Sequence, residues 1–132
     1  MNMENIFAEC EVISSYTRAD AIQDGTLIDI TANYPEISHQ LYKYPVACTS
    51  AVWAIVAAAV ANKKHCADFI SVVWDLLWMS QKGVVTKIDE SQQIFRVIIT
   101  GAGSKRYHDF KIVCHGGDQA EPVLTIMLPG ED

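Results

Sequence analysis

With 132 residues, half of them apolar and a fifth charged, the chain suits a single domain over 1–132, and its composition excludes a disordered or collagen-like protein. The net charge of −6 is concentrated, because residues 1–36 hold seven carboxylates against one base, Arg18, and the remainder balances. That bias disfavours direct nucleic-acid binding, which needs clustered Lys and Arg to displace counterions; it suits a solvated acidic face or a basic protein partner.

The stretch 11–30, EVISSYTRADAIQDGTLIDI, places a strand, a capped helix, a stop and a second strand within twenty residues. Thr17 is expected to cap a helix of about two turns, with Asp20 at its third position and Gly25 as a left-handed stop. Thr26 to Thr31 alternates as a short strand, and residues 33–43 can hold a further helix with Pro35 in its first turn.

Tyr44 to Asn62 is uncharged but Ala-rich and interrupted by Pro45, Thr49 and Ser50, so a buried helix from Ala51 to Ala61 is expected rather than a membrane span. Because it is apolar on every side, that helix is expected to be covered all round. A longer helix from Cys66 to Lys82 lines Asp68, Ser71, Asp75 and Lys82 along one stripe and turns Phe69, Val73, Leu76 and Leu77 away. After Gly83 the period changes to alternation, giving strands at Val84–Asp89, Ile94–Thr100, Tyr107–Cys114 and Val123–Leu128. The expected fold class is α+β, an antiparallel sheet of four or five strands packed against the Ala-rich and amphipathic helices.

Chemistry-bearing residues are sparse. His65-Cys66, His108 and Cys114-His115 are zinc-ligand types, yet adjacent residues diverge on a helix and point to opposite faces on a strand, so no metal site is expected. Gly101-Ala102-Gly103-Ser104-Lys105 lacks the spacing and following helix of a phosphate loop, and His115-Gly116-Gly117-Asp118 reads as a turn. No cofactor is expected. Ser14 to Asp24 could serve an enzyme, with Arg18 holding an anion, Tyr16 donating a proton and Asp24 acting as a base; capping chemistry explains the same residues. Trp74 and Trp78, four apart, form a candidate interface edge. Four dispersed cysteines (Cys10, Cys48, Cys66, Cys114) without a Cys-x-x-Cys pair, and a start lacking signal-peptide features, point to a reduced cytoplasmic setting.

The string at 11–30, together with YPVACTSAVW (44–53), WDLLWM (74–79) and KIVCHGGDQAEPVLTIMLPGED (111–132), resembles an uncharacterised family of small bacterial proteins carried on plasmids and phages. The resemblance implies a role on mobile elements, and with the acidic charge it leads to the expectation of an anti-CRISPR type protein. Such a protein would bind a CRISPR–Cas or other defence component by blocking a basic or subunit-contact surface. The expected partner-binding residues are Glu11, Tyr16, Arg18, Asp20, Asp24, Asp29, Trp74 and Trp78. A homodimer is compatible with this reading, and the alternative is a small enzyme modifying a host protein or nucleotide through Ser14 to Asp24.

Overall fold

Local capping sets the first helix of the computed structural model, which describes residues 16–65 and 67–131. The Asp20 amide donates to Thr17 Oγ1 at 3.0 Å and the Thr17 amide donates back to the Asp20 carboxylate at 3.3 Å, closing a capping box at the start of α1 (Arg18–Asp24). Gly25, at φ 86°, ends α1 in the left-handed conformation that only glycine adopts at little cost. β1 (Leu27–Asp29) follows, and Asp29 caps α2 (Ile30–Asn33) by accepting the Ala32 amide at 2.9 Å. Pro35 then starts α3 (Pro35–Leu41), so the helix expected over 33–43 runs over 35–41, and the strand expected over Thr26–Thr31 ends at Asp29, where α2 begins.

Val46 to Thr49 is a strand, β2, which the apolar run leading into the next helix conceals in the sequence. Thr49 caps α4 (Ser50–Ala61), its Oγ1 accepting the Val52 amide, and Asp68 caps α5 (Phe69–Lys82) by accepting the Ser71 amide at 2.7 Å. The start of α5 thus falls three residues later than the expected Cys66. Gly83 closes α5 for a steric reason: its φ of −99° suits any residue, but a Cβ there would lie 2.5 Å from the Arg96 carbonyl oxygen.

The remaining strands are β3 (Val84–Asp89), β4 (Gln92–Ile98), β5 (Tyr107–Gly116) and β6 (Pro122–Met127), which pair in sequence as an antiparallel meander. The sheet order is β1-β2-β6-β5-β4-β3. The expected antiparallel sheet of four or five strands is therefore corrected to a mixed sheet of six, because β2 inserts between β1 and β6 and runs parallel to β6. Leu124 of β6 donates its amide to the Pro45 carbonyl at 2.8 Å, extending that junction.

Alternation gives the sheet two unlike faces. Val46, Cys48, Phe95, Val97, Phe110, Ile112, Leu124 and Ile126 point to one side, where Val52, Val56 and Ala59 of α4 and Val72, Val73, Leu76 and Leu77 of α5 complete the core. Phe95 and Phe110, both fully buried, meet at 5.9 Å between ring centroids. Contrary to the expectation of burial all round, α4 buries only this stripe and leaves Ala54, Ala58 and Ala61 exposed. Small methyl side chains add little apolar surface to solvent, so such a helix tolerates one open side. No helix among the described residues is long and apolar enough to cross a membrane.

Candidate functional site

The second face of the sheet carries Lys111, Val113 and His115 from β5 and Val123, Thr125 and Met127 from β6, the residues that alternate with the core positions. The register sets Lys111 opposite Met127 and Val113 opposite Thr125, so Lys111 and Thr125 are diagonal neighbours. α1 lies along this face and makes one wall of a cleft of about 620 Å³. Thr49, Gln92, Gly117, Asp118 and Glu131 contribute to the remaining walls.

Arg18 docks α1 there. Its Nη1 donates to Thr125 Oγ1 at 2.7 Å and its Nη2 donates to the Leu124 carbonyl at 2.9 Å. Burial of the guanidinium lowers its pKa from the ordinary arginine value, with the charges of Asp29, Asp118 and Glu121 opposing that shift. The same Thr125 hydroxyl lies 2.8 Å from His115 Nε2, while His115 Nδ1 lies 3.0 Å from the Gly116 carbonyl. A carbonyl only accepts, so Nδ1 carries the ring proton. In the neutral ring Nε2 then accepts the Thr125 hydroxyl, whose oxygen takes the Arg18 hydrogen. The result is a directed chain from Arg18 through Thr125 and His115 to the Gly116 carbonyl.

The loop after β5 closes on the start of α1. Asp118 accepts the Arg18 amide at 2.7 Å and the Ala19 amide at 3.0 Å, satisfying the two N-terminal donors that Thr17 leaves open. These two backbone donors hold the Asp118 carboxyl below its ordinary range. A depressed folded value means that this contribution is present above the unfolded carboxylate value and is lost as pH falls through the folded one. The α1 amides should therefore lose hydrogen-exchange protection on acidification in the native chain, and the acid step at residues 18 and 19 should vanish in Asp118→Asn. An unchanged acid profile in that variant would mean that the loop does not hold the helix.

Lys111 is almost completely buried, and its ammonium donates to the Glu131 main-chain carbonyl at 2.7 Å. The Glu131 carboxylate accepts from Thr49 Oγ1 and from the Leu128 amide, both at 2.8 Å, which ties the segment after β6 to β2. Among the described residues no carboxylate lies within ion-pair distance of Arg18 or Lys111; the ion pairs there are Lys87–Glu90 and Arg96–Asp109.

The expected partner-binding residues divide between the two sides of the sheet. Glu11 lies outside the described residues, as do Ser14 and Ser15. Tyr16 is exposed and donates its hydroxyl to the Asp24 carboxylate, and Asp24 also accepts the Thr26 amide at 2.9 Å. These bonds depress the Asp24 carboxyl, Tyr16 first, which makes it a weaker base than an ordinary carboxylate. Asp20 serves the capping box and Asp29 the cap of α2. Trp74 and Trp78 sit on α5, across the sheet from α1, stacked at 6.1 Å with Lys82 5.5 Å from the Trp78 ring. Burial raises the Asp75 carboxyl beside them, and no base pairs with it among the described residues.

Sequence reasoning assigned Arg18 to an anion or a protein partner and overlooked its docking on β6, as well as Lys111, Thr125 and Glu131. Their only local trace is strand alternation, which marks a face without saying what meets it. Among the described residues no three His, Cys, Asp or Glu side chains converge as metal ligands would. Cys48 is buried in the core, where desolvation pushes its thiol up to about 12.

No curated protein and no solved structure matches this chain. A family model does match it over residues 3–132, nearly end to end, and the chain belongs to the family of unknown function DUF6573.

Proposed function

We propose that this chain is a mobile-element protein that binds and inhibits a bacterial defence complex, of the CRISPR–Cas kind, through the acidic outer side of α1 and β1. The observation that supports this reading is the orientation of Arg18. It is the one base among residues 16–36, and it is turned inward onto β6, so the exposed charged groups of that stretch are the carboxylates of Asp20, Asp24 and Glu36, with Asp29 half-buried and acting on Arg18. Capping and turn hydrogen bonds hold Asp20, Asp24 and Asp29 in place. Carboxylates held by such bonds lose little side-chain freedom on meeting a basic surface, and charge complementarity would speed the encounter. A basic channel that normally holds nucleic acid is such a surface.

The test is retention of a defence complex by the tagged chain from a lysate, followed across a salt series. Asp29 caps α2, so the variant neutralises Asp20→Asn, Asp24→Asn and Glu36→Gln and leaves Asp29 in place. Retention by the native chain should weaken with salt, and the triple variant should bind about tenfold more weakly at low salt. Equal affinity in the variant would defeat the acidic-surface reading. Loss of binding in Trp78→Ala, with the triple variant unaffected, would move the contact to the opposite side of the molecule.

A further inference from the structure

We infer that the cleft on the open sheet face binds a small molecule with an anionic head, a phosphate or a carboxylate, carried on an apolar body. This assignment does not rest on the proposed acidic contact surface. Its basis is unspent donor capacity. An ammonium has three N–H donors and a guanidinium five. With the described residues, Lys111 uses one and Arg18 uses two.

The acceptors that share the cleft are already answered by the protein. Asp118 takes the first two amides of α1, and Glu131 takes the Thr49 hydroxyl and the Leu128 amide. The cleft therefore offers unspent N–H donors of Arg18 and Lys111 to an incoming group, beside the carboxylates of Asp118 and Glu131 that line it and those of Asp29 and Glu121 that act on Arg18. Lys111 is almost completely buried and reaches no carboxylate among the described residues, a placement that leaves its charge to be matched by a ligand.

Geometry lets one head group reach both cations. Arg18 is anchored on Thr125, which is the diagonal neighbour of Lys111 on the same sheet face, a spacing of about 7–8 Å between backbone positions. Both side chains are long enough to converge on a phosphate or carboxylate between them. Val113 and Met127 lie beside this pair and line the same cleft with Leu27, so the rest of the ligand meets apolar surface. The cleft volume of about 620 Å³ falls in the range of small-molecule sites.

Three probes separate the possible sources: octyl phosphate, octanoate and inorganic phosphate, each titrated into the full native chain. The readout is nitrogen NMR of the Arg18 Nε and Lys111 Nζ signals with the backbone amides of β5 and β6. Saturable shifts centred on these signals are expected with octyl phosphate or octanoate, and whichever binds more tightly names the head group. Inorganic phosphate should bind at least about tenfold more weakly, since it leaves the apolar floor uncovered. Lys111→Met should weaken the tighter probe by about tenfold or more, and Lys82→Met, on α5, should leave it unchanged. Absence of saturable shifts at Arg18 and Lys111 with all three probes would overturn the assignment without recourse to any variant. Affinity for the tighter probe unchanged in a folded Lys111→Met chain would overturn it as well.

Discussion

Phe110→Ala should destabilise the chain by about 3–5 kcal/mol, a large part of the total stability of a domain of this size. The ring is fully buried at the middle of β5. It packs at a tilt against Phe95 of the neighbouring strand and lies parallel to His108 two positions earlier. Removing it withdraws apolar area from the contact between sheet and helices and leaves a cavity, because fully buried neighbours such as Leu76, Leu77 and Ile126 belong to other elements of the same cluster. The surrounding backbone is held by pairing with both β4 and β6, so collapse into the space is restricted. Denaturant unfolding should show a lower midpoint with an unchanged slope. A loss below about 1 kcal/mol would mean that this part of the sheet is not where the core is densest.

The second large effect is local. Arg18→Met retains the stem of the side chain but removes both hydrogen bonds to β6, one to a buried hydroxyl and one to a main-chain carbonyl. Charged hydrogen bonds of this kind contribute roughly 1.5–3 kcal/mol, and the partial exposure of Arg18 places the expected loss near the lower end. The cost should fall on α1 rather than on the whole domain, since no other side chain of α1 donates to β6 among the described residues. Amides across α1 should therefore exchange faster while those of β4 and β5 stay protected, a sub-global opening rather than unfolding. Uniform loss of protection throughout the sheet would show instead that α1 is part of the cooperative core. Unchanged protection in α1 would show that Asp118 and the capping box suffice to hold it.

The two effects separate what this fold owes to its core from what it owes to the contacts on its open face. The core side is apolar and continuous. The open face is held by a few polar contacts between segments about a hundred residues apart, among them Arg18 with Thr125 and Asp118 with the Arg18 and Ala19 amides. Placement of the cleft there follows, because that face has unspent polar groups and no helix pair laid over it like α4 and α5 on the other.

The parts of this protein legible in its sequence are those governed by neighbours within a few positions. The Thr17–Asp20 capping box, the Gly25 stop, a cap at Thr49 or Ser50, which falls to Thr49, and the change from helical to alternating period after Gly83 all depend on hydrogen bonds or side-chain spacing inside one turn or one strand. The meander from β3 to β6 was equally accessible, since short turns leave consecutive strands little choice but to pair antiparallel. β2 was not, because three apolar residues before a cap look the same whether they lead into a helix or pair with strands elsewhere, and its partners β1 and β6 lie in different parts of the chain. The direction of Arg18 and the second use of Asp118 also waited on the assembled sheet. A guanidinium beside several carboxylates has the same local pattern whether it faces solvent or a buried hydroxyl. Only the packing of α1 against β6, across more than a hundred residues of chain, decides between them.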